Sequence, residues 1–296
     1  MRVAVSGASG LIGAALAESL AGDGHEVVRL VRRAARRAGE VGWDPFGEVG
    51  ALTGVDAVVH LAGAGIGERR WTSAYKREIY DSRVRGTATL ASALARMGEP
   101  PRVFVSGSAV GFYGDAGERV LTEDDPAGGD FLARVCRDWE GAAGAAADAG
   151  IRTVRIRTGL VVSSRGGAFG RMLPLFRLGL GGPLGGGRQY WSLISLADEV
   201  AAIRHVIDTP AVSGPVNLVC PDPVTNREVT ASLGRALHRP AVLPVPGPAL
   251  RLALGEFART GVLASQRVVP KRLLASGFTF AHPDHQDVIR QATHRV

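Results

Sequence analysis

Three glycines spaced three residues apart form the part of the sequence best suited to chemistry. They follow an apolar run and precede a helix-forming segment at 14–21. Gly7 allows a tight turn, Gly10 lets a phosphate approach the backbone, and Gly13 lets the helix pack near the sheet. Free N–H groups at the helix start attract an anion, and Ser6 can add a hydroxyl donor. The expected pyrophosphate site of a dinucleotide cofactor comprises Gly7, Ser9, Gly10, Leu11, Ile12 and Gly13. A purely structural bend is the alternative.

A cluster of arginines after the second predicted strand indicates which cofactor binds. The strand covers 26–31 and leads directly into Arg32 and Arg33. Enzymes that use NAD usually carry Asp or Glu here, which accepts hydrogen bonds from the adenosine ribose. A guanidinium would instead pair with the 2′-phosphate of NADP(H). We therefore expect NADP(H), with a solvated basic loop as the alternative.

Two further strand ends carry candidate site residues. The apolar strand that starts near 56 ends in His60, Leu61, Ala62 and Gly63, and such small residues suit a strand end on which a cofactor lies. A histidine beside an apolar run is more typical of a structural role than of catalysis. The strand at 102–105 delivers the hydroxyl-rich loop 106–114, in which Ser108 and Tyr113 are the catalytic candidates. Ordinary turn chemistry is the alternative for this loop.

The elements that must position these residues alternate between strand and helix. After the first strands come predicted helices at 72–97 and 128–149, and a predicted strand at 151–162. This alternation predicts an α/β, Rossmann-type doubly wound parallel sheet. We assign 1–162 to an NADP-binding domain to which about 196–220 return, and 163–296 to a smaller, substrate-side and C-terminal α/β domain. Later elements are expected at 196–208, 215–219, 226–238, 249–258 and 284–292.

The glycine-dense stretches that open the second region have a different character. Residues 164–170 and 179–187 are rich in glycine. Such segments suit a mobile or substrate-shaping role better than core packing.

Composition excludes several classes of function. The chain has 296 residues and 46% hydrophobic content, but no run of about eighteen apolar residues and no signal-peptide layout, so we expect a cytoplasmic protein with no membrane partner. Its net charge of +7 comes mostly from scattered arginines, which argues against a nucleic-acid partner. Two cysteines fit a reducing compartment. His282 and His285 have no third ligand nearby, so no metal is expected.

Motifs along nearly the whole chain resemble those of one protein family. Besides the glycine turn they are Arg70-Trp71-Thr72, Asp81-Ser82-Arg83, Gly86-Thr87, 106–114, Trp139-Glu140, 179–183, Pro270-Lys271-Arg272-Leu273 and Gly277-Phe278. They resemble atypical extended short-chain dehydrogenase/reductases, specifically epimerase-family proteins related to nucleotide-sugar epimerases and to a cyanobacterial-type cell-division inhibitor. The last two resemble that family's small C-terminal domain of unassigned function.

The resemblance also implies a cofactor site, but not a substrate. It implies NADP(H) bound by the glycine turn, Arg32, the strand end at 60–62, Glu78 and Arg83, with Leu160 beside the nicotinamide. Extended members often dimerise through two helices that flank the sheet. These would be 72–97 and 130–149 here, which makes a homodimer possible.

The chain departs from the wider superfamily at the reacting groups. Active members use a serine and a Tyr-x-x-x-Lys pair, in which the lysine lowers the pKa of the phenol. Aligning Ser108 with that serine places Leu132 and Cys136 where the tyrosine and the lysine would stand. Tyr113, without such a lysine, should keep a pKa near 10.

Two functions remain open at this stage. One is an NADP(H)-dependent oxidoreductase or epimerase acting on an unidentified small carbonyl or sugar-like substrate. The other is an NADP(H)-sensing regulatory or interaction protein with little or no catalysis, possibly linked to cell division.

Overall fold

The computed structural model describes residues 1–293, so the last three residues of the predicted second domain, 294–296, lie outside the described residues. The strands are β1 (Arg2–Ser6), β2 (Glu26–Val31), β3 (Glu40–Gly42), β4 (Ala57–His60), β5 (Val103–Ala109), β6 (Val120–Leu121), β7 (Arg152–Thr158), β8 (Leu160–Val162), β9 (Tyr190–Trp191), β10 (Leu193–Ser195), β11 (Gly214–Leu218), β12 (Val224–Thr225) and β13 (Arg267–Val268). Seven of them form one parallel sheet in the order β3-β2-β1-β4-β5-β7-β11.

This order confirms the doubly wound fold. From β1 the chain runs outward through β2 and β3, then returns to β4 on the other side of β1. The reversal opens a crevice at the carboxyl ends of β1 and β4, where ligands bind in such sheets. The glycine turn directly follows β1, so the fold places it at this crevice.

Helices cover both faces of the sheet. They are α1 (Leu11–Gly22), α2 (Ser73–Ala95), α3 (Phe131–Ala142), α4 (Gly144–Asp148), α5 (Gly167–Arg177), α6 (Leu196–Asp208), α7 (Asn226–Leu237), α8 (Gly247–Leu254), α9 (Lys271–Ala275) and α10 (His285–Thr293), with a 3₁₀ turn at Val110–Tyr113 and a π-helical turn at Ala258–Val262. None of these helices is long and apolar enough to cross a membrane.

Alternation along the strands explains the two layers. In β1, Val3 and Val5 pack in the same core as residues of α1 and α6, whereas Ala4 packs with Leu90 and Leu94 of α2. Successive strand residues point to opposite faces of a sheet. The central strands are apolar on both faces because helices cover both.

Two predicted elements are interrupted in the structure. The single helix expected at 128–149 is two helices, and the first begins only after Asp130, whose carboxylate accepts a hydrogen bond from the Ala133 N–H. The strand expected at 151–162 breaks at Gly159, where a Cβ would collide with the Ser192 carbonyl oxygen. The residues after the break, in β8, pair with β10 outside the main sheet.

The glycine-dense stretch at 164–170 leads into a helix that the sequence analysis missed. Helix α5 buries Phe169, Leu173 and Phe176 in a second core, together with side chains of α7 and α10. Strand β11, by contrast, lies at the edge of the main sheet beside β7. The later chain therefore contributes both to this second core and to the nucleotide-binding sheet.

Candidate functional site

The glycine turn has the shape that its sequence predicts. Gly7 has a φ of +69°, and a Cβ on Gly13 would collide with the Gly7 carbonyl oxygen, so both positions require glycine. A Cβ on Gly10 would meet only the Gly7 oxygen, at 3.3 Å. Gly10 caps α1 without any side-chain hydrogen bond, so the first N–H groups of the helix have no side-chain acceptor at the cap. This cradle fits a pyrophosphate, which is anionic and would approach the backbone at Gly10.

Ser6 does not belong to the phosphate site, contrary to our expectation. Its Oγ lies 2.6 Å from His60 Nδ1, and it also accepts hydrogen bonds from the N–H groups of Leu61 and Ala62. Both Ser6 and His60 are fully buried. Because two N–H groups already point at Oγ, the hydroxyl proton is directed to the histidine. Ser6 therefore ties the end of β1 to the end of β4.

His60 is a structural residue at this strand end. Burial lowers its pKa to about 4, and its ring packs edge-on against Trp43, with 5.5 Å between ring centroids. The neutral imidazole helps to hold the chain where Leu61 turns toward the crevice. Of this strand end only Leu61 lines the cavity described next, and the side chain of His60 does not reach it.

A cavity of about 470 Å³, here called the glycine-turn cavity, runs from the glycine turn past the ends of β4, β5 and β7. It brings together nine of the predicted site residues. They are Gly7, Gly10, Leu11, Ile12, Gly13, Leu61, Arg83, Ser108 and Leu160. Thr260, Gly261 and Gln266 close the cavity from the C-terminal part of the chain. Residues from both halves of the sequence therefore surround one space.

The arginines after β2 lie beside the glycine turn. Leu30 is opposite Ser6 in the register of β1 and β2, so Arg32 follows at the same edge of the sheet. Arg33 forms a two-pronged ion pair with Glu40, with N–O distances of 2.8 Å, and its hydrogen bonds help to lower the pKa of Glu40 to about 2. Within residues 1–293 no carboxylate pairs with Arg32, which is exposed. Arg32 is therefore the better placed of the two for a phosphate, and Arg33 orders the loop.

Arg83 and Glu78 of α2 point in different directions. They are five positions apart, so their side chains differ in direction by roughly 140° around the helix axis. Arg83 lines the cavity with its guanidinium 5.2 Å from the Trp139 ring centroid, and a Cβ on Gly63 would lie 3.2 Å from its Cζ. Glu78 is half exposed, 3.7 Å from Arg69, and does not line the cavity. The structure also leaves Ser9, Ala62 and Gly63 outside the cavity wall.

Arg83 has no acidic partner among the residues that the structure describes. Burial lowers its pKa, and the other groups that act on it are Cys136 and Tyr75 rather than a carboxylate of the described chain. Its Nη1 donates to the Ile79 carbonyl at 3.2 Å. A partly buried guanidinium in a cavity wall, with no carboxylate partner among residues 1–293, is suited to an anionic or strongly polar ligand.

Ser108 sits at the inner end of the cavity and is part of a buried polar network. Its hydroxyl donates to Glu140 Oε1 at 2.7 Å. Glu140 in turn accepts two hydrogen bonds from Arg157, at 2.7 and 2.9 Å. Burial alone would lower the pKa of Arg157, but the hydrogen bonds and charge of Glu140 raise it overall. Ser108 can polarise a substrate oxygen only if its hydroxyl rotates away from Glu140, which keeps both bonds to Arg157.

Tyr113, the second catalytic candidate, does not line the cavity. Its hydroxyl donates to Asn217 Oδ1 at 2.7 Å and accepts from Arg157 Nη1 at 2.9 Å. Burial raises its pKa to about 12, although Arg157 counteracts part of the rise. The expected value near 10 is therefore too low, because the sequence could not show that the ring is 3% exposed. Tyr113 anchors the network behind Ser108.

Leu132 and Cys136 line the cavity near Ser108, as the alignment places them. Leucine offers no proton. Burial raises the pKa of the Cys136 thiol to about 12, although the charge of Arg83 counteracts part of the rise. Neither side chain replaces the acid–base function of a tyrosine and a lysine.

Several polar residues of the site were not identified from the sequence. Glu199 is fully buried, and burial raises its pKa to about 8. Its Oε1 accepts a hydrogen bond of 2.8 Å from Thr158, which lines the cavity. The Ser195 cap of α6 was a visible signal for a helix start, but nothing local indicates that the next turn buries a carboxyl group.

The two C-terminal histidines each face a carboxylate. His282 Nδ1 is 3.0 Å from Asp198, and His285 Nδ1 is 2.7 Å from Asp222. Among residues 1–293 no three potential metal ligands come together.

The fold and the glycine turn define a Rossmann-type dinucleotide-binding protein of the short-chain dehydrogenase/reductase class. The chain belongs to the NAD dependent epimerase/dehydratase family, whose model matches residues 3–218. A domain of unknown function, DUF1731, matches residues 245–292. The two matches confirm the resemblance to the epimerase family and to its C-terminal domain.

Similar proteins come from distant organisms. An epimerase family protein of Mycobacterium leprae is 46% identical over 99% of this chain and 96% of its own length. The human epimerase family protein SDR39U1 is 37% identical over 96% and 97%, and its structure with NADPH has a TM-score of 0.91, 34% identity and 99% coverage of both chains. A nucleoside-diphosphate sugar epimerase of Corynebacterium glutamicum has a TM-score of 0.80 and 37% identity over 99% of this chain, which spans 58% of that longer chain.

Proposed function

We propose that the protein is an NADP(H)-dependent oxidoreductase or epimerase that acts on a small carbonyl or sugar-like substrate. The observation that carries the proposal is the continuity of the glycine-turn cavity, which joins a phosphate cradle to Ser108. NADPH in the structure of the human relative supports the choice of cofactor. The nicotinamide, when bound, supplies or accepts the hydride. The residues of this chain bind the cofactor, orient the substrate and supply the proton.

Different residues would bind the separate charged groups of the cofactor. The N–H groups at the start of α1 would hold the pyrophosphate, and exposed Arg32 would hold the 2′-phosphate. Arg83 supplies a positive charge deeper in the cavity, beside the Cys136 position where the superfamily has its lysine. We assign to Arg83 the orienting part of that lysine's role.

Proton transfer cannot follow the usual route, because position 132 is leucine. Ser108 can donate a hydrogen bond to a substrate oxygen after rotating away from Glu140. Thr158 provides a second hydroxyl at the cavity, and behind it lies Glu199, whose raised pKa keeps it protonated near neutrality. Either route acts without a phenolate, so turnover should be slow rather than absent.

The regulatory function is a second candidate, supported by a specific observation. Ser108 and Tyr113, the two hydroxyls first considered for catalysis, both have buried protein partners. A protein that only sensed NADP(H) would need the glycine turn and Arg32 but no free acid or base.

Steady-state oxidation of NADPH with a panel of carbonyl compounds tests the proposal. We expect slow turnover that Ser108→Ala lowers about a hundredfold, since one donor to a developing oxyanion typically contributes that much. Cys136→Ser, in the wall of the same cavity, should change it little. If no compound in the panel is reduced, and the Ser108→Ala protein binds NADPH normally, the regulatory function is the better account.

A further inference from the structure

A second cavity, here called the apolar cavity, adjoins the glycine-turn cavity. It encloses about 560 Å³, and Val110, Leu160 and Gln266 are among the residues that line both spaces. Such a volume lies within the range of small-molecule sites in proteins. A ligand in the apolar cavity would therefore reach the glycine-turn cavity at Leu160.

The domain of unknown function contributes much of the wall of the apolar cavity. Seven lining residues fall within 245–292, and they include Leu250, Leu254 and Phe257 on or just after α8. This segment is fastened to the main domain by an ion pair of 2.8 Å between Lys76 and Glu256, and Phe257 packs on Trp71 with 5.4 Å between ring centroids. The C-terminal domain therefore forms one side of a ligand site.

Few polar groups in the apolar cavity are available to a ligand. Of the twenty lining residues, twelve are apolar, four are glycines and four are polar. Among the polar ones, Ser192 donates to the Gln266 carbonyl at 2.7 Å and accepts from the Val268 N–H at 2.9 Å. Arg171 and Glu68 have opposite charges and are exposed, and Arg171 donates to the Gly67 carbonyl at 2.9 Å. Neither sign of charge is therefore in excess in the cavity.

Gln266 is the polar group best placed to orient a ligand. Its backbone N–H donates to the Tyr190 carbonyl at 3.0 Å, and its carbonyl accepts from Ser192. Its side-chain amide has no hydrogen-bond partner among residues 1–293, and it lies where the two cavities meet. An amide in that place can donate to one oxygen of a ligand.

This composition is unsuited to the diphosphate of a nucleotide sugar. A diphosphate binds to clustered cations or to convergent backbone N–H groups. The apolar cavity offers one guanidinium, that of Arg171, which already donates to a carbonyl. Its described wall contains no second cation. Apolar walls instead favour ligands in proportion to the apolar area that they bury.

We infer that the apolar cavity binds an uncharged carbonyl compound with an apolar body, whose oxygen points toward Gln266 and Ser108. This inference rests on the proposed function and narrows its substrate class. The domain of unknown function thereby acquires the role of selecting an apolar substrate.

Calorimetric titration of the NADPH-saturated protein tests the inference without requiring turnover. The probes are acetone, acetophenone, benzophenone and UDP-glucose. We expect each added ring to tighten binding at least tenfold because of the area that it buries, and no saturable binding of UDP-glucose. Leu254→Arg should weaken benzophenone binding at least tenfold and leave NADPH affinity unchanged. Leu252→Arg is the matched control, because Leu252 lies on the same helix but is 77% exposed.

The outcomes separate this inference from the proposed function. Saturable binding of UDP-glucose, affinities independent of the number of rings, or equal effects of the two arginine variants would overturn the apolar assignment. If Leu254→Arg disturbs folding, seen as lost NADPH binding, the uncharged Leu254→Gln must show the loss of benzophenone affinity instead. Tight binding of benzophenone, with no oxidation of NADPH by any compound of the carbonyl panel, would support the apolar site and contradict the oxidoreductase.

Discussion

At one end of the glycine-turn cavity, glycines and the free N–H groups of α1 face open space, whereas at the other end Ser108 already has a protein partner. The first end is a preformed anion cradle whose parts are nearly contiguous in the sequence. The second end joins Ser108, Glu140, Arg157 and Tyr113, which come from different elements. The first end therefore depends on one local motif, whereas the second depends on contacts between distant parts of the chain.

The largest loss of stability is expected at the buried ion pair between Glu140 and Arg157. Glu140→Ala should destabilise the protein by about 3–5 kcal/mol, since it leaves Arg157 buried without its partner. Chemical denaturation would measure the loss. Glu78→Ala is the control, because the Glu78–Arg69 pair is half exposed and should contribute under about 1 kcal/mol. Equal effects of the two variants would show that the network is not what holds this end together.

At the glycine turn, cofactor binding can be removed with little loss of stability. Gly10 is exposed, and a Cβ there would make one tight contact, 3.3 Å from the Gly7 oxygen, so Gly10→Val should lower the unfolding temperature of the apo protein only slightly. It should weaken NADPH binding at least a hundredfold, because the side chain occupies the approach of the pyrophosphate. Gly13→Val, by contrast, should lower stability itself. Retained NADPH binding by Gly10→Val would place the phosphates elsewhere.

Tyr113→Phe tests whether Tyr113 stabilises the network behind Ser108 or belongs to the NADPH site. Losing the hydroxyl removes the donor to Asn217 Oδ1 and one acceptor of Arg157 Nη1, both of them buried, which should cost about 1–3 kcal/mol of stability. Because Tyr113 does not line the cavity, NADPH affinity should stay the same. Denaturation and a fluorescence titration on one preparation would check both. A large loss of NADPH affinity without a loss of stability would show that Tyr113 belongs to the NADPH site.

The smallest effect concerns Glu199 and pH. Its folded pKa of about 8 exceeds its ordinary value of 4.5, so the folded state retains a proton that the unfolded state has lost. Stability should therefore fall as pH rises from about 4.5 to 8, by about 1 kcal/mol between pH 6.5 and 7.5. Glu199→Gln keeps an acceptor for Thr158 and should remove most of this slope. An unchanged slope in the variant would mean that Glu199 is ionised in the folded protein.

Local patterns were sufficient to predict the class of cofactor and the shape of the glycine turn. The glycine spacing, the strand before it and the arginines after β2 lie within about thirty residues, and the α/β alternation gave the sheet. The network behind Ser108 could not be predicted in this way. Tyr113 and Asn217 are 104 positions apart, and only the folded sheet shows that their side chains meet.

Helix α5 shows a second reason why part of the structure could not be predicted. Phe169, Leu173 and Phe176 recur at the spacing of one helix face, but the surrounding glycines suggested a mobile or substrate-shaping segment rather than core packing. Gly167 and Ala168 do line both cavities, so only the exclusion of core packing is wrong. Packing against α7 and α10 outweighed the low helix propensity of glycine. Tertiary contacts of this kind are not visible in a local window of sequence.

The central claim is that the arginine after β2 selects the phosphorylated cofactor. Titrating the unmodified protein with NADPH and with NADH, followed by nicotinamide fluorescence, measures this directly. NADPH should bind at least tenfold tighter, which is about 1.4 kcal/mol, and Arg32→Ala should narrow the ratio while Arg37→Ala, in the same exposed loop, should not. Equal affinities of the unmodified protein for NADPH and NADH would contradict the account.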